Sequence, residues 1–266
     1  MKTLILGKNS KIFKNLKLGI KKENLILFDR KDLDLLLNNQ KKEIIDKLKN
    51  VKIIINFIGE YKDKTKMFDS NFYFLKKLFN ILDKNNKNFT FIHFSSLGVY
   101  GLYNRITKHN QLNEKSKLKS INYYQKTKIM AENFLNSKKK NHSIIIIRLS
   151  SIYEFNWKLR FIEMMLNNKF VNFFFYKTFA DGIYNFIFLK DLNLLMKKMI
   201  STKFNKSKIY NIVGNYKIDK KFCSLNIKFF KKNKIINNKI SIDNSLIKKK
   251  FKIINFKSNS FYILSS

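Results

Sequence analysis

The chain has 266 residues, 45% of them hydrophobic, so it can bury a sizeable core and is not a disordered polymer. A single cysteine, Cys223, excludes an internal disulfide framework and fits a reducing compartment. The formal charge of +37 raises nucleic acid or an anionic membrane as partners, whereas apolar runs of strand length exclude a spanning helix of roughly 20 residues.

In chain order, Thr3 to Gly7 is predicted as the first strand, followed by helical spacing from Ser10 to Leu18. Asn24 to Phe28 is the second strand, with a helix across Gln40 to Lys49. Lys52 to Phe57 is the third, with a long helix over Met67 to Leu82 behind it. Phe89 to Ser95 is the fourth strand, Asn122 to Ser137 a helix, and Ser143 to Arg148 the fifth strand. Near-continuous Ile and Leu runs mark strands buried on both faces, and strand–helix alternation implies a parallel sheet with right-handed crossovers. The predicted class is therefore α/β, a doubly wound Rossmann-type parallel sheet over residues 1–150. Residues 151–266 are expected to form a smaller substrate-binding lobe packed on it, with some strands returning to the main sheet. There, Phe161 to Leu166 and Leu192 to Met199 read as helices, and Val171 to Tyr176, Tyr184 to Leu189 and Ile209 to Val213 as strands.

Ligands of open parallel sheets bind beyond the carboxyl ends of the strands. The turn after the first strand is Gly7-Lys-Asn-Ser10-Lys-Ile-Phe13. A dinucleotide fingerprint wants glycines for the tight turn, for close approach to pyrophosphate and for helix–strand packing. Gly7 keeps the first role, and Ser10 suits a helix N-cap facing phosphate. Phe13 stands where the third glycine belongs. Asp29 ends the second strand, 22 positions after Gly7, where a carboxylate accepts from the adenosine ribose and favours NAD over NADP. Arg30 beside it tolerates a 2′-phosphate, and Asp34 is placed to reach the adenine edge. The bland alternative for both acids is a solvated loop carboxylate.

Tyr-x-x-x-Lys occurs three times, at Tyr73/Lys77, Tyr124/Lys128 and Tyr216/Lys220, and context separates them. Tyr73 lies mid-helix with no polar strand before it, and Tyr216 lies in the C-terminal part. Tyr124 begins a helix that follows a strand ending in Ser95-Ser96, and the i,i+4 spacing puts phenol and ammonium on one face. A free phenol titrates near ~10, and a fixed ammonium favours its ionised form. Ser96 is then placed to hydrogen-bond the reacting oxygen while Tyr124 moves its proton.

Phe94-Ser-Ser-Leu-Gly-Val-Tyr-Gly101, Tyr124-Gln-Lys-Thr-Lys128 and Ala131-Glu132 together resemble the extended short-chain dehydrogenase/reductase family, which includes NAD-dependent nucleotide-sugar epimerases, dehydratases and reductases. Ile54-Ile-Asn56-Phe-Ile-Gly59, Asn71, Arg148-Leu-Ser-Ser-Ile-Tyr153, Phe186-Ile-Phe-Leu-Lys-Asp191 and Tyr210-Asn-Ile-Val-Gly214 follow in family order, so the resemblance covers residues 1 to about 215. It implies Ser96, Tyr124 and Lys128 as the catalytic set. It implies Gly7, Ser10, Asp29, Arg30, Asp34, Asn56, Gly59 and Lys128 around NAD, with NADP as the other candidate. Ser96, Arg148 and Ser151 would then meet a nucleotide-sugar substrate. The sequence departs from the family at Ser10 and Phe13, and at Leu149, Ser151 and Glu154 after the fifth strand. Leu97-Gly98 replaces the Asp-Glu pair that resembling 4,6-dehydratases use, which argues against dehydration and leaves epimerisation or keto-sugar reduction.

A simpler cause exists for the charge: proline is absent, alanines number two and arginines four, while Lys, Asn, Ile and Phe abound. Such usage follows AT-rich codons, whereas a surface selected for phosphate would carry arginine forks. Nucleic acid is accordingly disfavoured, and the runner-up reading is a non-catalytic relative that binds RNA or protein. His93, His109 and His142 lack ligand spacing, so no metal is expected, and His93 reads as a satisfied core histidine. Lys138 to Lys140 read as solvated. A cytoplasmic protein without a membrane partner is expected, and by analogy of fold a homodimer through the long helices is allowed.

Overall fold

Branched and aliphatic runs without polar alternation build a central sheet covered on both faces. The computed structural model describes residues 1–37, 42–85, 88–101, 111–153, 184–213, 216–218 and 241–242. Its strands are β1 (Lys2–Leu6), β2 (Leu25–Phe28), β3 (Val51–Asn56), β4 (Thr90–Ser96), β5 (Gln111–Leu112), β6 (Ser143–Leu149), β7 (Ser151–Tyr153), β8 (Tyr184–Phe188), β9 (Lys208–Ile212), β10 (Tyr216–Ile218) and β11 (Ser241–Ile242). The six-stranded sheet has the order β2-β1-β3-β4-β6-β9, with β1 parallel to β2 and β3, and β3 parallel to β4. Leu4, Ile5, Ile54, Ile55, Phe91, Ile92 and Ile144 to Ile147 are fully buried in it. The chain leaves β1 on one side for β2 and on the other for β3. Their carboxyl ends therefore form the switch point at which an open sheet presents a crevice.

The helices are α1 (Lys11–Asn15), α2 (Arg30–Leu37), α3 (Lys42–Leu48), α4 (Lys64–Phe68), α5 (Phe74–Asn85), α6 (Tyr123–Ser137) and α7 (Leu189–Ser201). Three of these correct the sequence-based expectation. The pattern from Ser10 to Leu18 is helical only to Asn15, because Leu16 turns extended (φ −89°, ψ 134°) and Leu16 and Leu18 are then buried two apart. Helix α2 had no counterpart in the pattern; its start is the reciprocal pair Asp29 and Asp32, each accepting from the other's backbone N–H. The predicted helix over Met67 to Leu82 is interrupted by a wide turn at Asp69–Tyr73, where Phe74 N donates to Asp69 O five residues back.

The chain divides into two compact units, Met1–Gly101 with Leu118–Arg148 and Met196–Tyr210, and Leu102–Lys117 with Leu149–Leu195 and Asn211–Ser266. In the first, Phe79 packs against Phe89, Phe91 and Phe134 beneath the sheet. In the second, β10, β8 and β7 form a three-stranded sheet and β11 pairs with β5. Residues 161–166 and 171–176, predicted as helix and strand, lie outside the described residues. Among the described residues, no helix is long and apolar enough to cross a membrane.

Candidate active site at the switch point

The turn after β1 requires its glycine. Gly7 has φ +84°, and a Cβ there would stand 3.2 Å from Ile58 Cγ1 and 3.3 Å from Ile58 N. Gly7 N and Lys8 N both donate to Phe28 O, at 2.9 and 3.0 Å, which pins the turn to the end of β2. Ser10 caps α1, its Oγ accepting from Phe13 N at 3.1 Å. Phe13, in the third glycine's place, meets Phe57 at 5.6 Å between ring centroids, and Phe57 stacks on Phe94 at 4.8 Å.

Asp29 is held by its own chain. Its Oδ1 accepts from Asp32 N at 3.0 Å, and Lys8 Nζ lies 3.0 Å from its Oδ2. Backbone N–H donation from Asp32 and the Lys8 ammonium hold the Asp29 carboxyl down at about 2. The same ammonium lies 3.4 Å from Asp32 Oδ2. Arg30 and Asp34 are exposed on the first turns of α2.

Lys128 is buried, 3% exposed, with Nζ donating to Phe94 O at 3.0 Å and lying 5.9 Å from the Tyr124 ring centroid. Burial lowers its ammonium to about 8, and Glu132 opposes that shift. Gly59 leaves it room, since a Cβ there would stand 3.2 Å from Lys128 Nζ. Ser96 ends β4 and caps the following turn, its Oγ accepting from Gly98 N at 3.1 Å, so its own O–H remains to donate. Gly98 packs against Gln125 of α6, joining the serine's turn to the helix of Tyr124 and Lys128.

Behind these residues lies a buried ion network that the sequence reading missed. Glu132 is fully buried; Arg148 reaches it through Nε at 3.1 Å and Nη2 at 2.7 Å, and Ser95 Oγ donates to it at 2.5 Å. Arg148 Nη1 donates to Tyr100 OH at 2.7 Å. Arg148, expected on substrate, is 2% exposed and engaged by these groups of its own chain. Ala131-Glu132 carried a signal, since an acid one turn after Lys128 shares its helix face.

Asn56, expected along the cofactor, is fully buried at the end of β3. Its Oδ1 accepts from Ile58 N at 2.9 Å and its Nδ2 donates to His93 Nδ1 at 3.0 Å. His93 is kept neutral by burial and then by the Lys128 charge, and its Nε2 has no partner among the described residues, so it is only half satisfied. Asn71, in the wide turn before α5, is fully buried; its Oδ1 accepts from Glu60 N at 2.8 Å and its Nδ2 donates to Glu60 O and Thr127 Oγ1. It ties the loop after β3 to α6. Ser151 is exposed at the start of β7, in the second unit. Among the other Tyr–Lys pairs, Lys77 lies over the exposed Tyr73 ring at 5.2 Å, and Tyr216 begins a strand rather than a helix. Lys138, read as solvated, pairs with Asp83 at 2.7 Å. No group of three or more potential metal ligands occurs among the described residues.

These residues fit a dinucleotide along the switch point. The backbone comes close at Gly7, space is kept at Gly59, and an ammonium is fixed at Lys128. The family model described as NAD dependent epimerase/dehydratase family matches residues 12–212. Solved structures of similar fold include MoeE5 in complex with UDP-glucose and NAD, at 13% identity over 97% of this chain and 95% of that one, TM-score 0.70. UDP-glucuronic acid 4-epimerase from Bacillus cereus in complex with NAD follows at 17% identity, 97% and 94% coverage and TM-score 0.67. RMD from Pseudomonas aeruginosa complexed with NADPH matches at 15% identity, 94% and 92% coverage and TM-score 0.64. No curated protein sequence matches the chain significantly.

Proposed function

The chain belongs to the NAD dependent epimerase/dehydratase family, and on that premise we propose that it is an NAD(P)-dependent nucleotide-sugar epimerase or keto-sugar reductase acting through Ser96, Tyr124 and Lys128. The observation that carries this reading is the fixed, buried Lys128 ammonium, anchored on Phe94 O and beside the Tyr124 ring. When bound, the nicotinamide cofactor supplies hydride acceptance and return. Gly7, Ser10, Asp29 and Gly59 are the residues that would hold it, with Lys128 at the nicotinamide ribose.

The chain's own groups then handle the proton. Near neutral pH an ammonium titrating at about 8 is mostly charged, so Lys128 favours negative charge on the Tyr124 phenol. Tyr124 takes the proton of a sugar hydroxyl as it becomes a carbonyl, and returns it in the reverse step. Ser96 donates its O–H to that same oxygen and holds it in line. Leu97 and Gly98, apolar and without an acid, supply no group for water elimination, which supports epimerisation or reduction. The retained serine, tyrosine and lysine favour catalysis over the RNA- or protein-binding alternative.

UDP-glucose, bound in the MoeE5 structure, is the first substrate to assay. Tyr124→Phe is expected to reduce turnover by roughly 10²–10⁴-fold with an unchanged melting temperature, because only the titrating hydroxyl is lost. Full turnover by that variant would overturn the assignment.

A further inference from the structure

The amino ends of the strands, opposite the switch point, carry a cavity of their own within the first unit. Its volume is about 570 Å³, in the range of small-ligand pockets, and it opens where β3, β4 and β6 begin. At about 3.3 Å per residue, the seven residues of β4 set it roughly 20 Å from Ser96. Buried Ile53, Phe89 and Phe204 are among its walls. Hydrogen bonds between distant segments fix those walls: Ser143 Oγ donates to Phe204 O at 2.8 Å, Ile144 N to Ser207 Oγ at 2.9 Å and Ser143 N to Phe89 O at 3.1 Å.

Five lysines line the cavity: Lys52, Lys139, Lys140, Lys203 and Lys206. Among the described residues no carboxylate and no arginine lines it, and none of the five lysines makes an ion pair. Asp83, bonded to the lining residue His142, is already matched by Lys138 at 2.7 Å. The charged residues next in sequence to the lining segments, Lys2, Lys87, Lys138 and Lys208, are cations as well. A lysine-rich chain spreads ammoniums over its surface, so their number alone says little. Five unpaired ones around a single walled cavity are what mark this place.

We propose that this cavity binds a small molecule carrying two or three linked phosphates, a nucleoside or inorganic di- or triphosphate, apart from the cofactor crevice. The inference does not rest on the proposed function, since none of these residues takes part in it. Like charges gathered in one place repel each other, and a polyanion among them relieves that repulsion while adding attraction. A single phosphate group brings about two negative charges against five ammoniums, and a chain of phosphates comes closer to balance. Each ammonium is a point charge with three donors, which meets phosphate oxygens without the planar fork that carboxylate recognition favours. The volume suits a ligand of nucleotide size rather than a duplex.

The test is calorimetric binding of inorganic triphosphate, ATP and AMP at physiological ionic strength to the intact protein and to two triple variants. One variant carries Lys139→Gln, Lys140→Gln and Lys203→Gln. The other carries Lys42→Gln, Lys47→Gln and Lys76→Gln, which removes the same charge from exposed lysines of α3 and α5 outside the lining. Both triphosphates are expected to bind the wild-type chain, and AMP tenfold or more weakly than ATP. The cavity variant should weaken both triphosphates tenfold or more while the control variant stays within threefold. Arginine at the same three cavity positions should retain binding, which separates lost charge from a lost fold. ATP bound tenfold more tightly than inorganic triphosphate assigns the site to a nucleotide, and equal affinities assign it to the phosphate chain alone. No triphosphate binding at millimolar concentration overturns the proposal. Unchanged binding in the cavity variant also overturns it, because the ligand then sits elsewhere. Equal weakening in both variants makes net charge the only cause, and AMP bound as tightly as ATP removes the need for linked phosphates; either result overturns it. A short single-stranded DNA that binds tenfold more tightly than ATP, and loses that affinity in the cavity variant, overturns the small-molecule assignment in favour of a nucleic-acid groove.

Discussion

Around Lys128 the hydrogen bonds join distant parts of the chain: Lys128 to Phe94 across 34 residues, Ser95 to Glu132 across 37, and Arg148 to Tyr100 across 48. Around Gly7 the side-chain caps are local, with Ser10 to Phe13 and Asp29 to Asp32 each spanning three residues. The first region is buried and the second is half exposed. A buried ionic network that loses one partner leaves an uncompensated charge, whereas a half-exposed cap that loses its side chain is rescued by water. Changes in the first region should therefore register as lost stability, and changes in the second mainly as altered ligand preference.

The sharpest way to break this contrast is Glu132→Ala, which strands the Arg148 guanidinium. Denaturant unfolding should show a loss of about 3–5 kcal/mol. A loss under about 1 kcal/mol would mean the network relaxes like a surface pair and the two regions do not differ. A middle-sized effect concerns Lys128 itself. Its folded value of about 8 lies below the ordinary 10.5, so between those pH values the unfolded chain binds more protons than the folded one. Stability linked to this group therefore rises with pH across that window, by up to about 3 kcal/mol. Because many other lysines titrate nearby, the readout is the stability difference between the wild-type chain and Lys128→Met. That difference should move in favour of the wild-type chain from pH 8 to 10.5; a flat difference counts against a buried, charged Lys128. The smallest effect is expected at Ser10→Ala, where loss of the α1 cap should cost about 1 kcal/mol in a thermal melt. A cost well above 2 kcal/mol would place the Gly7 turn in the same class as the buried network.

The sheet was legible because its strands are uninterrupted Ile, Leu and Phe runs, a signal that depends on neither caps nor turns. The order of Ser96, Tyr124 and Lys128 was legible for a related reason: a strand, a crossover and a helix start place them without knowledge of their contacts. What escaped the sequence were pairings across the chain. Arg148 reads as a polar residue at a strand end, and nothing local says that Glu132, a helix away, takes its guanidinium. Asp29 and Asp34 read as ligands in a loop, whereas the spacing of Asp29 and Asp32 makes a reciprocal cap, and that cap begins a helix which the apolar pattern alone did not suggest. Lys8 was one more lysine in a lysine-rich chain until the backbone of Gly7 and Phe28 fixed its starting point.

The wide turn at Asp69–Tyr73 has a consequence for chain length rather than for residue type. An α-helix rotates by about 100° per residue, so a five-residue closure shifts the phase of everything that follows by about that angle. α4 and α5 are thus two helices out of register, and Asn71 sits at the dislocation with its amide turned inward to Glu60 and Thr127. Deleting one residue there would let the two helices merge into a more regular one. The merged helix would be better as a helix, yet either Asn71 or the buried face of Leu75, Leu78 and Leu82 would be swung off its partners. This stretch is therefore where the protein tolerates substitution more readily than the loss of a single amino acid.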